Sequence, residues 1–237
     1  MIRLEQIRES ERRSHEDVYT NHALYESGSW LQKPVKTVIE LLPYFEKVKE
    51  LRVLDLGCGV GRNCIAIARH FSHIPCRIDC IDILPLAIEK LNQNASVYDV
   101  SQSINGIVSS LEGFTIAENS YDLILAVSAL EHIDSKDAFL SKLAEIRNGI
   151  RENGIVCMIV NSGVREFDRL SDAELPPQFE VNLPTEELQK LLAQTFSGWD
   201  VLKTGIQQQR YAIPRGFAVS DLSSNVVTFV AKKVLEV

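Results

Sequence analysis

The stretch of sequence that decides the fold is Val53-Leu54-Asp55-Leu56-Gly57-Cys58-Gly59-Val60-Gly61-Arg62-Asn63. Its apolar beginning predicts a buried strand, and three alternating glycines then lead directly into a helix that begins near Gly61. Glycine is needed where the backbone turns sharply or where a ligand approaches it closely. The first N–H groups of a helix lack partners within the helix, so they face such a loop. A plain turn between a strand and a helix needs one glycine; three glycines after an acidic residue predict a ligand-binding loop.

The spacing of the glycines narrows the choice of ligand. A dinucleotide-binding loop has the pattern G-x-G-x-x-G/A. Counted from Gly57, the third position is Arg62, and counted from Gly59 it is Cys64. A phosphate-binding loop of the ATPase type contains Lys followed by Ser or Thr, which this stretch lacks. The pattern G-x-G-x-G therefore disfavours NAD and ATP as ligands.

Outward from this loop, short β-branched apolar runs alternate with helical patterns. The predicted strands are 52–56, 77–83, 104–108, 123–127 and 155–160. The predicted helices between them are 62–71, 84–94 and 137–148. Alternation of this kind predicts parallel strands joined by crossover helices, and hence a doubly wound α/β sheet.

The flanking segments complete a single predicted domain. Its parts are a helical N-terminal cap at 1–50 with a second helix at 34–45, a cofactor-binding core at 51–160, a lid or substrate loop at 161–183, and a C-terminal helix and hairpin at 184–237. The lid is predicted because 161–183 is too long for a simple connection. The hairpin is predicted because two strand-like runs, 199–206 and 225–231, have no helix between them.

Composition bounds the class of protein. Hydrophobic residues make up 45% and charged residues 24% of 237 residues, as in an ordinary soluble globular domain. The net charge of -7 disfavours a nucleic-acid partner, which is usually met by a basic face. No apolar run approaches the ~18 residues of a membrane span, and the charged first 15 residues do not read as a signal peptide.

Cysteine usage predicts a cytosolic location, and histidine usage predicts no metal site. The five cysteines show no CxxC spacing, which predicts reduced thiols in the cytosol. The five histidines have no H-E-x-x-H or clustered spacing, so no metal site is predicted.

The segment from Asp55 to Gly61 resembles the first motif of the class I S-adenosylmethionine (SAM)-dependent methyltransferases. The resemblance implies that the loop passes beneath the methionine and ribose portions of SAM. The cofactor-binding residues that it implies here are Asp55, Gly57, Cys58, Gly59, Gly61, Arg62 and Asn63. It also implies a Rossmann-like sheet of seven strands, mostly parallel with the last antiparallel, and S-adenosylhomocysteine (SAH) as the product.

The second predicted strand ends in Cys80-Ile81-Asp82-Ile83, which is similar to the next element of that family. The resemblance implies that Asp82 accepts both ribose hydroxyls and that Ile83 lies against adenine. A carboxylate suits a vicinal diol because it offers two acceptor oxygens. A role for Asp82 as a helix N-cap is the alternative, and the two roles are compatible.

Two later segments are also similar to the family. After the third strand, Ser109-Ser110-Leu111-Glu112 stands where the family often has an acid that contacts adenine. The aligned residue is Ser110, followed by Leu111, and the alternatives for the adenine contact are the backbone and Glu112. After the fourth strand, Val127 is expected near the methionine end of SAM. His132 is then the candidate to face the substrate as a general base, with helix capping as the alternative.

A narrower likeness is to the tellurite-resistance-type methyltransferases, carried by Gly61-Arg62-Asn63 and the C-terminal hairpin. That subgroup methylates chalcogen oxyanions or small nucleophiles, and its proposed histidine–arginine pair lies in the last hairpin. Here Gln207-Gln208-Gln209-Arg210-Tyr211 holds the arginine and no histidine. A solvated first-turn residue is the alternative for Arg62.

The sequence thus predicts methyl transfer from SAM to a small-molecule acceptor. Arg210 or Arg165 is the candidate to hold an anionic substrate, with plain surface solvation as the alternative. Trp30 is the candidate to close over the cofactor from the substrate side, with core packing as the alternative. Two other functions stay open: a methyltransferase for a lipid, quinone or amine, and a SAM-binding protein without catalysis.

Overall fold

The computed structural model describes residues 2–215 and 218–234. In chain order the strands are β1 (Leu51–Leu56), β2 (Cys76–Asp82), β3 (Ile104–Val108), β4 (Tyr121–Val127), β5 (Ile150–Asp168), β6 (Glu174–Leu175), β7 (Asp200–Arg215) and β8 (Ala218–Lys232). The α-helices are α1 (Ile2–Asn21), α2 (Lys36–Ile39), α3 (Cys64–His70), α4 (Pro85–Val97), α5 (Lys136–Gly149) and α6 (Thr185–Thr195). Three short 3₁₀ turns lie at Trp30–Gln32, Leu42–Phe45 and Leu130–His132.

All eight strands form one sheet, in the order β3-β2-β1-β4-β5-β8-β7, with β6 paired to β5 off this path. Strands β1 to β5 pair in parallel, and β8 runs antiparallel to both β5 and β7. The predicted α/β fold, a mostly parallel seven-stranded sheet with the last strand antiparallel, is therefore confirmed. The two-residue β6 was not predicted from the sequence.

The central strands are buried on both faces, as in other parallel sheets covered by helices, and β4 is apolar and buried from Leu123 to Val127. Alternate residues of one strand point to opposite faces, so Val53 joins one core and Leu54 the other. The core on the Val53 side packs α3, α4 and the N-terminal segment, and the core on the Leu54 side packs α5 and α6. The side chains of both residues are fully buried.

The N-terminal cap differs from its prediction in detail. Helix α1 spans 20 residues, longer than its few apolar positions indicate. The helix predicted at 34–45 is broken into α2 and the 3₁₀ turn Leu42–Phe45. Pro43 has no N–H to donate, so a continuous helix loses a hydrogen bond at this point.

Three strands extend past the sheet edge. The pairing of β4 with β5 ends at Val127 and Ile159, but β5 continues to Asp168 against β8, and β8 continues against β7. We call the projecting parts, 160–168, 207–215 and 218–226, the ribbon. Its β7–β8 turn, 216–217, lies outside the described residues.

The ribbon corrects two predictions. The lid predicted at 161–183 begins as strand, because 161–168 pairs with β8 and buries Ser162, Val164 and Glu166. The antiparallel hairpin is present, but its strands reach far beyond 199–206 and 225–231. Glutamines and serines in these strands interrupt the apolar pattern from which strands are predicted.

Candidate functional site

A cavity of about 1200 Å³ opens at the carboxyl ends of β1, β2 and β4. In open α/β sheets this edge, at the point where the strand order reverses, is where ligands bind. Here β1 stands between β2 and β4, so the order reverses at the glycine loop. Helix α1 lies along the other side of the cavity, and the ribbon forms a further wall.

The glycine loop takes a backbone shape that side chains would strain. Gly57 and Gly61 have φ of +70° and +97°. A Cβ at Gly57 would lie 2.5 Å from Ala129 Cβ, and one at Gly61 would lie 2.6 Å from Leu91 Cδ1. Gly57, Cys58 and Gly59 line the cavity, whereas Gly61 allows α4 to pack beneath the loop. The loop thus offers bare backbone to a ligand.

Asp82 is placed as the resemblance implies. Its Oδ2 accepts a hydrogen bond from Gly59 N at 2.8 Å, and its Oδ1 accepts one from Leu84 N at 2.9 Å. Each carboxylate oxygen has a second lone pair, and the side chain lines the cavity. Burial raises the pKa of Asp82. The carboxylate therefore fits a ribose diol while it holds the loop. The N-cap of α4 is Leu84, and no side chain caps this helix, so the N-cap alternative for Asp82 is wrong and its ribose role stays a prediction.

Asp55 lies beneath the loop and does not face the ligand. Its side chain is 1% exposed, and its Oδ2 is a buried oxygen without a hydrogen-bond partner. Burial raises its pKa to about 7, although the charge of Arg62 opposes this. Asn63, in contrast, lines the cavity, and its Oδ1 also accepts a hydrogen bond from Val35 N at 3.0 Å.

Arg62 is partly buried, which makes the alternative of a solvated first-turn residue wrong. Its guanidinium lies 5.1 Å from the centroid of the Trp30 ring, and Nη1 donates to Trp30 O at 2.9 Å. Burial lowers its pKa. Trp30 also meets His15 and Tyr19 edge-on, with ring centroids 5.9 and 5.8 Å away. Arg62 and Trp30 both line the cavity, and the closing of Trp30 over a cofactor stays a prediction.

The residues expected around adenine also line the cavity. Ile83 is 49% exposed there, and Ser110 and Leu111 stand opposite, after β3. Ser110 Oγ accepts a hydrogen bond from Gly113 N at 3.1 Å, which closes its own turn. Val127 lines the cavity at the end of β4. The contacts of these residues with SAM stay predictions.

His132 lies in the 3₁₀ turn that follows β4, and it lines the cavity. Its Nδ1 lies 3.1 Å from Glu180 Oε2, and its ring stacks on Phe179 with centroids 5.3 Å apart. Glu131 fixes the turn, because its buried Oε1 accepts hydrogen bonds from the Asn161 backbone and side chain at 3.1 and 2.6 Å. Burial raises the pKa of Glu131.

The structure does not bring Arg165 and Arg210 to the cavity. Arg165 is exposed and pairs with Glu174 at 2.9 Å, over the ring of Phe167. On β7, the cavity is lined by Gln207, Gln209 and Tyr211. Successive side chains of a strand point to opposite faces, so Arg210 is exposed on the other face. The substrate-side roles predicted for the two arginines are corrected accordingly.

Sequence reasoning missed two groups of cavity residues. One is a face of α1, where Arg8, Arg12, His15 and Tyr19 line the cavity. Their spacing of four, three and four residues is a helical stripe, and this signal was readable. The other is Glu180, whose position next to His132 is set by tertiary packing and leaves no local sequence signal.

The described residues contain neither a cluster of metal ligands nor a helix that could span a membrane. No group of three or more His, Cys, Asp and Glu side chains is placed to hold a metal ion among residues 2–215 and 218–234. In the same part of the chain, no helix has both the length and the apolar character needed to cross a membrane. The five cysteines are buried free thiols.

Comparison with known proteins found a matching domain model and several partial relatives. Residues 53–154 match the family model described as a methyltransferase domain. The chain is 24% identical over 132 residues to ajmaline N-methyltransferase of Rauvolfia serpentina, covering 56% of this chain and 43% of that protein. It is 32% identical over 94 residues to carboxy-S-adenosyl-L-methionine synthase of Klebsiella pneumoniae, covering 39% of this chain and 37% of that protein. The chain thus spans less than half of the length of either relative.

Among solved structures, TehB from Haemophilus influenzae is similar to this chain, with a TM-score of 0.59 and 16% identity. The match covers 84% of this chain and 62% of that one. At this identity the likeness shows the fold alone. Together with the matched domain, it confirms the resemblance to class I SAM-dependent methyltransferases.

Proposed function

We propose that this chain, which carries the methyltransferase domain and fold of the class I SAM-dependent methyltransferases, is an enzyme that transfers the methyl group of SAM to a small-molecule nucleophile and releases SAH. One observation carries the proposal. The buried carboxylate of Asp82 and the bare backbone of the glycine loop meet at the carboxyl edge of the sheet, on one cavity. A diol acceptor beside a close-approach loop is what a nucleoside-bearing cofactor requires.

The residues of this chain have a limited task. SAM supplies a methyl group that its sulfonium already activates, so the protein has to align the acceptor and exclude water. Positioning alone lowers a barrier by up to ~7–11 kcal/mol. Gly57, Gly59 and Asp82 would hold the cofactor. Trp30 and Arg62 would cover it from the side of α1, which shields the transfer from water.

The cavity supports an organic acceptor. Sites for a single small molecule usually measure roughly 300–1,000 Å³, and this cavity measures about 1200 Å³. It therefore has room for SAM and for an acceptor of several carbon atoms. A chalcogen oxyanion would leave much of that space empty, and Arg210, the residue suggested for an oxyanion, faces away from the cavity. A lipid, quinone or amine acceptor agrees better with the space, and the absence of a nucleic-acid substrate stays a prediction.

A transfer assay separates the enzyme from a silent binder of SAM. The protein is incubated with methyl-labelled SAM and with catechol, thiophenol, tryptamine, selenite and tellurite, and both labelled product and SAH are measured. We expect label in at least one organic acceptor, and loss of labelling in Asp82→Ala at limiting SAM. Tight SAH binding without transfer to any acceptor would favour the non-catalytic alternative.

A further inference from the structure

Strand β7 forms the outer edge of the sheet beside the cavity. It stands at the end of the strand order and, within residues 2–215 and 218–234, pairs with β8 alone. The residues from 203 to 208 and from 210 to 212 are all exposed. The outer edge of such a strand presents a row of backbone N–H and C=O groups that can pair with a further strand.

The middle of β7 lacks the features that keep an edge strand single. Proteins protect long edges with prolines, bulges, charged side chains or a covering segment. The bulge in β7 lies near its beginning, and Pro214 lies close to its end. The stretch 204–213 contains neither, and Arg210 is its one charged residue. It also exposes large apolar side chains, since Ile206 is 51% and Tyr211 48% exposed.

The sequence of this stretch is complementary to itself. When two copies of a strand pair antiparallel about a two-fold axis, one residue faces its own copy, because facing side chains share a side of the sheet and adjacent ones do not. With Gln208 at that position, Gln207 faces the partner's Gln209, and Gln209 faces the partner's Gln207. A glutamine amide both donates and accepts hydrogen bonds, so all three glutamines meet a suitable partner. A symmetric register centred on any other residue pairs at least one of them with a different residue type.

The same register fills an open space at Gly205. A Cβ on Gly205 would have no heavy atom within 4 Å. In the register centred on Gln208, Gly205 faces the partner's Tyr211, and an aromatic ring packed across a glycine of an edge strand stabilises strand pairing. Facing residues share one side of the sheet, and Gly205 lines the cavity. The partner's Tyr211 therefore stands on the cavity side of the sheet.

We infer that β7 pairs with β7 of a second copy of this chain, antiparallel and in the register centred on Gln208. The pairing continues the sheet from one chain into the other and adds a tyrosine of the partner to each cavity wall. Because the two-fold axis uses the β7 edge of both chains, association through this edge stops at a dimer. The inference does not depend on the proposed function, since association is measured without SAM.

Light scattering of the full chain at rising protein concentration measures the association. We expect the mass to rise from that of one chain toward that of two chains and to level off there. A mass that stays at one chain up to the highest concentration at which the protein dissolves would overturn the inference. Growth beyond two chains would contradict the closed two-fold pairing.

A cysteine at the position that faces itself tests the register. Facing Cα atoms of antiparallel strands are ~4.5–5.5 Å apart, which a disulfide spans. Gln208→Cys should therefore form a covalent dimer on oxidation with copper phenanthroline, while the five native cysteines are buried. Ile206→Cys is the matched control, because Ile206 is also exposed but its copy lies roughly 13 Å further along the pair. Equal cross-linking of the two variants would indicate random collision and overturn the register.

Charge at the same position gives an independent test. Gln208→Lys places two like charges face to face, and so does Gln208→Glu; each should weaken association by up to ~5-fold. An equal mixture of the two variants should associate at least as tightly as the wild type, because Lys then faces Glu. Thermal unfolding of each variant checks that the fold is kept at this exposed position. A mixture that associates no better than its two components would overturn the inference.

Discussion

At the scale of a single residue, Asp82 holds the glycine loop and is also proposed to bind the ribose of SAM. Substitutions of Asp82 test the second role. Its oxygens accept hydrogen bonds from Gly59 N and Leu84 N, and its side chain lines the cavity. Asp82→Ala removes a charged acceptor, which costs about 1.5–3 kcal/mol of cofactor affinity, or ~10–100-fold. Asp82→Asn keeps one acceptor oxygen and should lose less. Calorimetric titration with SAH measures both; equal affinity in wild type and Asp82→Ala would reduce Asp82 to a loop-holding role.

Asp55 predicts a pH dependence of stability. Its pKa is raised by burial from the ordinary 3.8 to about 7. A carboxyl group whose pKa is raised by folding contributes stability that is fully present below its unfolded pKa and is lost as the pH rises through its folded pKa. From about pH 4 to about pH 7, the free energy of unfolding of the wild type should therefore fall relative to that of Asp55→Asn, by roughly 1–3 kcal/mol.

Urea unfolding of the wild type and of Asp55→Asn at about pH 5 and about pH 8 measures this difference. The contributions of other titrating groups are the same in both proteins and cancel when the two free energies of unfolding are subtracted. A wild type and an Asp55→Asn variant with parallel pH profiles would show that Asp55 is ionised in the fold at low pH. The assignment of Arg62 as its weak partner would then need revision.

At the scale of elements, strand alternation decides which β7 side chains reach the acceptor. Gln209 lines the cavity, and its neighbour Arg210 does not. Gln209→Ala should raise the KM for the acceptor by ~2–10-fold, as expected for one lost hydrogen bond. Arg210→Ala, on the opposite face, should leave methyl transfer unchanged. Steady-state kinetics with methyl-labelled SAM compare the two variants. A larger effect of Arg210→Ala than of Gln209→Ala would mean that the wrong face of β7 has been assigned to the cavity.

Arg8 links helix α1 to segments on the other side of the cavity. Arg8 meets Glu112, Asp134 and Glu180, which belong to three different segments. Partly exposed ion pairs contribute up to about 1 kcal/mol, so Arg8→Ala should speed amide exchange of α1 by up to ~5-fold. Arg13 pairs only with Glu9 on the same helix among the described contacts, and Arg13→Ala serves as the control. Equal exchange in the two variants would show that Arg8 does not hold the helix down.

The helices and strands that were predicted correctly from the sequence are those with an uninterrupted pattern of apolar residues. Strand β1 and the glycine loop combine an apolar run with an unmistakable backbone requirement, and both lie where the sequence places them. The ribbon was not predicted because its strands carry polar residues on both faces, as at Gln207–Gln209, so that no alternation of apolar and polar residues is visible. Pairing with β8 stabilises it, and pairing between distant segments is not encoded locally.

At the scale of the whole molecule, the two halves of the site have different origins. The part of the cavity proposed to bind the cofactor comes from one continuous βαβ unit, so its residues, such as Gly57 and Asp82, were predictable from spacing. The part proposed to bind the acceptor is assembled from α1, the turn after β4, the segment before α6 and β7. Glu180 and His132 are 48 residues apart in the chain. Their contact arises only when the sheet and its flanking segments have packed.

The central claim is that the glycine loop and Asp82 form a SAM site, and binding calorimetry tests it most directly. Separate titrations with SAH and with NAD report which nucleoside-bearing ligand this edge of the sheet accepts. We predict saturable SAH binding at one site per chain and no measurable NAD heat, because the loop has the G-x-G-x-G spacing with Asp82 on the ribose side. Saturable binding of NAD with no heat from SAH would contradict the account.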